Sequence, residues 1–250
     1  MTDTTTGFNS FDPSRIAPPK NFDVLLPTNL RLGHLAERIF SAALKASATF
    51  HLIDENIQII ENKQTIGELD FILEDLNQNQ ILHVELAYKF YLFDPTLSSD
   101  PTKNWIGPNR KDSLIEKLEK LKNRQFPLLY HPYVQARLTG VDKGRIEQQL
   151  CFLASLYLPF EKKVDLPFDH MKAVKGFYLD LDTFQRLDES SKSYYIPMKT
   201  EWGMDPSGNK TWMPYANVRE TILKNLAENR APMCWQKQGE IFSEFFIVWW

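Results

Sequence analysis

The run Gly67-Glu68-Leu69-Asp70-Phe71-Ile72-Leu73, followed after a polar turn by His83-Val84-Glu85-Leu86-Ala87-Tyr88-Lys89-Phe90, decides how this chain folds. Both stretches alternate with period two, the signature of strands. In the first, Leu69, Phe71 and Leu73 share one face, and Glu68 and Asp70 share the other. The second strand spans Ile81 to Leu92. Its Leu82, Val84, Leu86, Tyr88 and Phe90 face one way, and His83, Glu85, Ala87 and Lys89 face the other. Glu74 to Gln80 is the turn between them. Upstream, Ile57, Ile59 and Ile60 begin another β run, closed by Glu61-Asn62-Lys63-Gln64. Three consecutive strands are therefore predicted.

Outward from this block the period changes to that of helices. Asn29 to Ser47 reads as a helix with Leu32, Leu35, Ala36, Ile39 and Ala43 on its apolar face. Gly33 and Glu37 border that face. After a proline-bearing loop from Phe93 to Arg110, a second helix is predicted from Asp112 to Gln125. Ser113 and Glu116 fit a capping box there. Leu114, Ile115, Leu118 and Leu121 form its buried side, and Lys117, Lys120 and Arg124 a basic stripe. Gln125 lies near the apolar side at the helix end, placed to reach the strands or to cap the helix. Tyr133 to Thr139 reads as a strand, Gln148 to Leu158 as a buried strand or helix, and Gly176 to Leu181 as a strand. Asn217 to Glu228 reads as a helix and Ile241 to Trp250 as a strand. Residues 1–29, broken by Pro13, Pro18, Pro19 and Pro27, read as an arm. Residues 30–140 form the core, and 141–250 a C-terminal elaboration or small subdomain.

Composition narrows the classes. The net charge is −3, so any phosphate-binding surface is a local patch. Two distant cysteines, Cys151 and Cys234, exclude a cysteine-rich zinc site. The chain has no apolar run of membrane-spanning length and no signal-peptide pattern, so a cytoplasmic protein with no membrane partner is expected.

Asp70 on one strand and Glu85 and Lys89 on the next converge if these strands form a hairpin. Two carboxylates hold a hard divalent cation, which polarises a phosphoryl oxygen and acidifies a bound water. A lysine beside them orients that water or steadies developing charge.

The two strand motifs together resemble the signature of the PD-(D/E)XK phosphodiesterase superfamily. Gly33-x-x-x-Glu37 resembles its helical motif, and the chain resembles a family of uncharacterised bacterial proteins of that superfamily. The stretches involved are Gly33 to Phe40, Gly67 to Phe71, Glu85 to Leu92 and Gly107-Pro108-Asn109 through Gln125. The resemblance implies an α/β fold with a restriction-endonuclease-like αβββαβ core and a mixed sheet. It implies catalysis by Asp70, Glu85 and Lys89, and Mg²⁺ or Mn²⁺ held by Asp70, Glu85 and Glu37. The superfamily lysine usually follows the glutamate by two residues. Here Ala87 stands at that position and Lys89 one pleat further. The expected function is hydrolysis of nucleic acid, DNA or RNA, with Lys111, Lys117, Lys120 and Arg124 as the phosphate-facing patch. The alternative is a non-catalytic nucleic-acid or protein-binding protein that retains the fold. Ala87 and the acidic net charge favour that alternative.

Overall fold

The computed structural model describes residues 7–18, 23–25, 30–166 and 168–250. In chain order the elements are β1 (Asn9–Ser10), α1 (Leu32–Lys45), β2 (Phe50–Glu61), β3 (Gln64–Asp75), β4 (Gln80–Phe93), β5 (Trp105–Ile106), α2 (Leu114–Lys120) and α3 (Pro132–Arg137). They continue with β6 (Glu147–Pro159), α4 (Phe168–Lys172), β7 (Val174–Asp180), α5 (Leu181–Leu187), β8 (Lys192–Tyr195), α6 (Tyr215–Ala227), β9 (Met233–Gln238) and β10 (Ile241–Val248). The protein is α/β, with parallel and antiparallel strand pairs. Its chain divides into two compact units, Met1–Tyr88 with Glu116–Leu153, and Lys89–Ile115 with Ala154–Trp250. The division falls inside β4 and β6. Among the described residues no helix is long and apolar enough to cross a membrane.

In the first unit β2, β3 and β4 form an antiparallel meander. Asn62 and Lys63, both at positive φ, make the tight turn between β2 and β3. That geometry matches the right-handed strand twist, and asparagine tolerates it well. Helix α1 covers one face of the meander. Phe40 and Leu44 pack with Phe71, Leu73, Leu82, Val84 and Leu86. On a second cluster, Leu69 and Ile72 of β3 join Ile57, Ile59, Leu129 and Val134. Strand β3 is thus buried on both sides. Burying each such Leu, Ile or Phe side chain stabilises by about 1.5–3 kcal/mol.

In the second unit β6, β7 and β10 run parallel, and β9 and β8 continue antiparallel from β10. Leu179 of β7, Phe184 of α5, Val218 and Ile222 of α6, and Phe245 and Ile247 of β10 share one core. Gly176 lets β7 approach β10: a Cβ there would lie 2.1 Å from the Glu244 carbonyl oxygen.

Several sequence expectations are corrected. The apolar face of α1 is rotated, with Phe40 and Leu44 inside and Ile39 41% exposed. Rotation buries the larger ring of Phe40 against Phe11 and Phe71. Leu69 parts company with Phe71 and Leu73, joining the other cluster. Residues 133–137 lie in helix α3, not a strand; Pro132 sits at its first position and the His131 ring accepts from Tyr133 N–H. Part of the expected arm is built in: Asn9–Ser10 pairs with β6, and Phe11 and Ile16 are buried. The rest of that arm, residues 1–6, 19–22 and 26–29, lies outside the described residues. The expected core of 30–140 is interrupted, since 89–115 belongs to the second unit.

Candidate active site

The β3–β4 ladder runs from Asp75 and Gln80 to Phe71 and Val84. Asp70 and Glu85 come next to that last pair, where backbone-to-backbone pairing gives way to bonds to side chains. Here the Asp70 side chain takes a strand amide, with Leu86 N–H donating to Asp70 Oδ2 at 2.8 Å. The Glu85 charge acts on Asp70 and the Asp70 amide bonds the Glu85 carboxylate, so the two side chains lie together. Glu85 has no exposed surface. Asp70 is only partly covered, so the pair meets solvent on its side.

Burial and then the Glu85 charge push the Asp70 carboxyl well above the usual carboxylate range, against the Leu86 amide and the Lys117 ammonium. Burial likewise pushes Glu85 up to about 7, against the Lys117 charge and the Asp70 amide. Glu37 raises both, and Glu68 raises Glu85.

A hydrogen-bond frame orients Glu85. Gln125 Oε1 accepts from Lys117 Nζ at 3.0 Å, which turns Gln125 Nε2 to donate to Glu85 Oε2 at 2.8 Å. On the other oxygen, His83 Nε2 lies 2.9 Å from Oε1. Gln148 Nε2 donates to the Phe126 carbonyl at 2.7 Å and faces His83 Nδ1 at 3.0 Å. A donor at Nδ1 leaves the ring proton on Nε2, so neutral His83 donates to Glu85. Burial lowers the His83 pKa to about 4. The neutral form therefore contributes stability that is complete above about 6.5 and lost as pH falls toward about 4. In ¹⁵N-edited spectra of the imidazole, His83 is expected to stay a neutral Nε2–H tautomer at about pH 5.5, where an unperturbed histidine is mostly charged. A protonated ring there would break this assignment.

Gln125 reaches Glu85 because the second helix does not stay α-helical. From Leu121 to Gln125 the chain makes a π turn. Leu121 and Phe126, five residues apart, then share one cluster with Leu150. Such turns occur often at functional sites.

The expected site residues divide as follows. Asp70 and Glu85 are brought together, and Lys117, expected only in the basic stripe, is the lysine whose charge acts on both. Lys89 belongs to the second unit, where its Nζ pairs with Asp112 Oδ2 at 2.9 Å. The Glu37 carboxylate bonds His34 Nδ1 at 3.0 Å and acts on the pair through its charge. Lys120 and Arg124 are exposed in the first unit, and Lys111 is exposed in the second. Among the described residues no three His, Cys, Asp or Glu side chains are arranged as a metal-ligand set.

The family described as Domain of unknown function (DUF1853) matches residues 17–242. The chain belongs to the DUF1853 family. No curated protein and no solved structure matches it. The frame of Gln125, Lys117, His83 and Gln148 around the carboxylate pair of this DUF1853 chain lies within the matched span. Gln148 was not legible as a site residue. Its one signal is a polar side chain at the start of an otherwise apolar strand.

Proposed function

We propose that the first unit of this DUF1853 chain is a metal-dependent phosphodiester-hydrolysing centre of the PD-(D/E)XK type that acts on nucleic acid. The observation that carries this reading is the adjacent Asp70–Glu85 pair with the Lys117 charge on both. The order α1, β2, β3, β4, α2, β6 agrees with an αβββαβ core. Two desolvated carboxylates, one raising the pKa of the other, are a fitting donor set for a hard cation whose remaining ligands are waters. When bound there, Mg²⁺ or Mn²⁺ supplies polarisation of a phosphoryl oxygen and an acidified water. Asp70 and Glu85 would hold it. Lys117 takes the role expected of Lys89, steadying negative charge as water attacks phosphorus and the bond to the leaving oxygen breaks. Gln125 positions Lys117 and Glu85 together, and His83 fixes Glu85 from the other side.

The second reading, a binding protein without catalysis, draws on one observation: both Glu85 oxygens already accept hydrogen bonds. Calorimetric Mn²⁺ titration of the full chain, with DNA and RNA cleavage assays in Mg²⁺, separates the two. The hydrolytic reading expects saturable Mn²⁺ binding and cleavage that stops on chelation. Absence of Mn²⁺ binding up to about 1 mM would leave the binding-protein reading standing.

A further inference from the structure

The second unit contains a cavity of ≈ 480 Å³ that the hydrolytic reading does not use. One wall is formed by Pro159, Phe160, Leu179, Asp180 and Val248. These residues mark the carboxyl ends of β6, β7 and β10, which run parallel to one another. Ligands of open α/β sheets bind outside the carboxyl ends of parallel strands. Ligand pockets measure about 300–1,000 Å³, so the volume suits a small organic molecule.

The other wall places a rigid cation beside aromatic rings. Arg110 Nη1 donates to Asp94 Oδ2 at 2.8 Å, and its guanidinium lies 4.4 Å from the Trp250 ring centroid. Trp250 in turn packs on Tyr178, with centroids 5.3 Å apart. An arginine seated over an indole and held through one nitrogen keeps its other N–H groups available to a ligand. Two of the three lining acids are engaged internally, and the third, Glu161, is exposed to solvent beside Lys162 in the sequence. Asp94 Oδ1 accepts from the amide and hydroxyl of Thr96, and Asp180 Oδ1 caps α5 through Thr183 N–H. Lys162 adds a second cation on the lining, exposed to solvent.

We propose that this cavity binds a mononucleotide-class ligand, with its planar ring among Phe160, Tyr178 and Trp250 and its phosphate against Arg110 and Lys162. The two halves of the ligand answer two features of the cavity. Aromatic side chains stack any base, and paired cations select the phosphate. The inference is independent of the hydrolytic reading.

Calorimetry on the full chain carrying Asp70→Asn tests it, since that change leaves the second unit untouched. AMP, GMP and UMP are expected to bind with Kd below about 1 mM. Adenosine and inorganic phosphate should each bind at least about tenfold more weakly, because each lacks half of the ligand. Lys162→Gln, on an exposed residue where folding is not at stake, should weaken AMP several-fold. Arg110→Gln should weaken it further, with the melting temperature as its folding control. No heat with any nucleotide, phosphate binding as tightly as AMP, or AMP affinity unchanged in Lys162→Gln and in folded Arg110→Gln would each overturn the proposal.

Discussion

Replacing Asp70 by asparagine is expected to weaken Mn²⁺ binding by about 100-fold or more and to slow nucleic-acid cleavage by about 1,000-fold, with the fold intact. Asparagine keeps the shape and its Oδ1 can still accept from Leu86 N–H. It removes one of the two charges that a divalent cation would neutralise. The same change removes a partly desolvated carboxylate whose ionisation the fold resists. In metal-free buffer at about pH 8 the variant should therefore unfold at an equal or higher denaturant midpoint than the wild type. Glu85→Gln is a poorer test. His83 and Gln125 both donate to Glu85, and a glutamine would turn its NH₂ toward one of them.

The pH dependence follows from the same groups. Glu85 has its folded pKa raised from 4.5 to about 7. Its contribution to stability is complete below 4.5 and is lost as pH rises through about 7, on the order of 3 kcal/mol at about 1.4 kcal/mol per pKa unit. His83 acts with the opposite sign between about 6.5 and about 4. His83 offsets only one of the two raised carboxyls, because Asp70 is raised as well, so the metal-free chain should lose stability as pH rises across this window and lose it more steeply above about pH 6.5, where the His83 gain is complete. Mn²⁺ should stabilise the wild type more at about pH 8 than at about pH 5.5, where it must displace protons first. Equal Mn²⁺ effects on wild type and Asp70→Asn at both pH values would sink the two-carboxylate site.

A period of two put Asp70 and Glu85 on neighbouring strands, and the two carboxyls do lie together, although the alternation itself slips at Leu69. Polar turns at Glu61–Gln64 and Glu74–Gln80 then made the strand order readable. The same rule did not reveal the ion-pair partner of Lys89. Sharing a face with Glu85 says nothing of the partner, and Asp112 takes the ammonium in the second unit. It also failed for α1, where neighbouring Ile39 and Phe40 compete for the interior and volume decides. Residues 133–137 contain Tyr, Val and Arg in a β-like mix, yet Pro132 and the His131 cap start a helix. The role of Lys117 was hidden for a different reason. Its placement depends on a π turn and on contacts with strands more than 30 residues away in the chain, and no local period encodes either.

Lys117→Ala and Lys89→Ala are expected to separate cleanly. Lys117 acts on both carboxylates and is fixed by Gln125, so its loss should slow cleavage by about 100-fold, the usual cost of removing a positioned stabiliser of developing charge. Mn²⁺ binding should survive, because the ammonium repels the cation rather than ligating it. Removing that repulsion, and the charge that holds both carboxylate pKa values down, should leave Mn²⁺ affinity at about pH 8 unchanged or slightly higher, while a larger share of the carboxylates stays protonated near neutrality. The onset of Mn²⁺ binding should accordingly move to higher pH. Lys89→Ala breaks a partly exposed ion pair with Asp112, whose contribution to stability is about 0–1 kcal/mol. Its cleavage and Mn²⁺ binding should stay near wild type. Gln125→Leu gives the positioning control: cleavage should fall with Lys117 present, and the pH profile of Mn²⁺ binding should shift less than in Lys117→Ala because the ammonium remains. Loss of cleavage in Lys89→Ala with full activity in Lys117→Ala would return the catalytic role to the strand lysine.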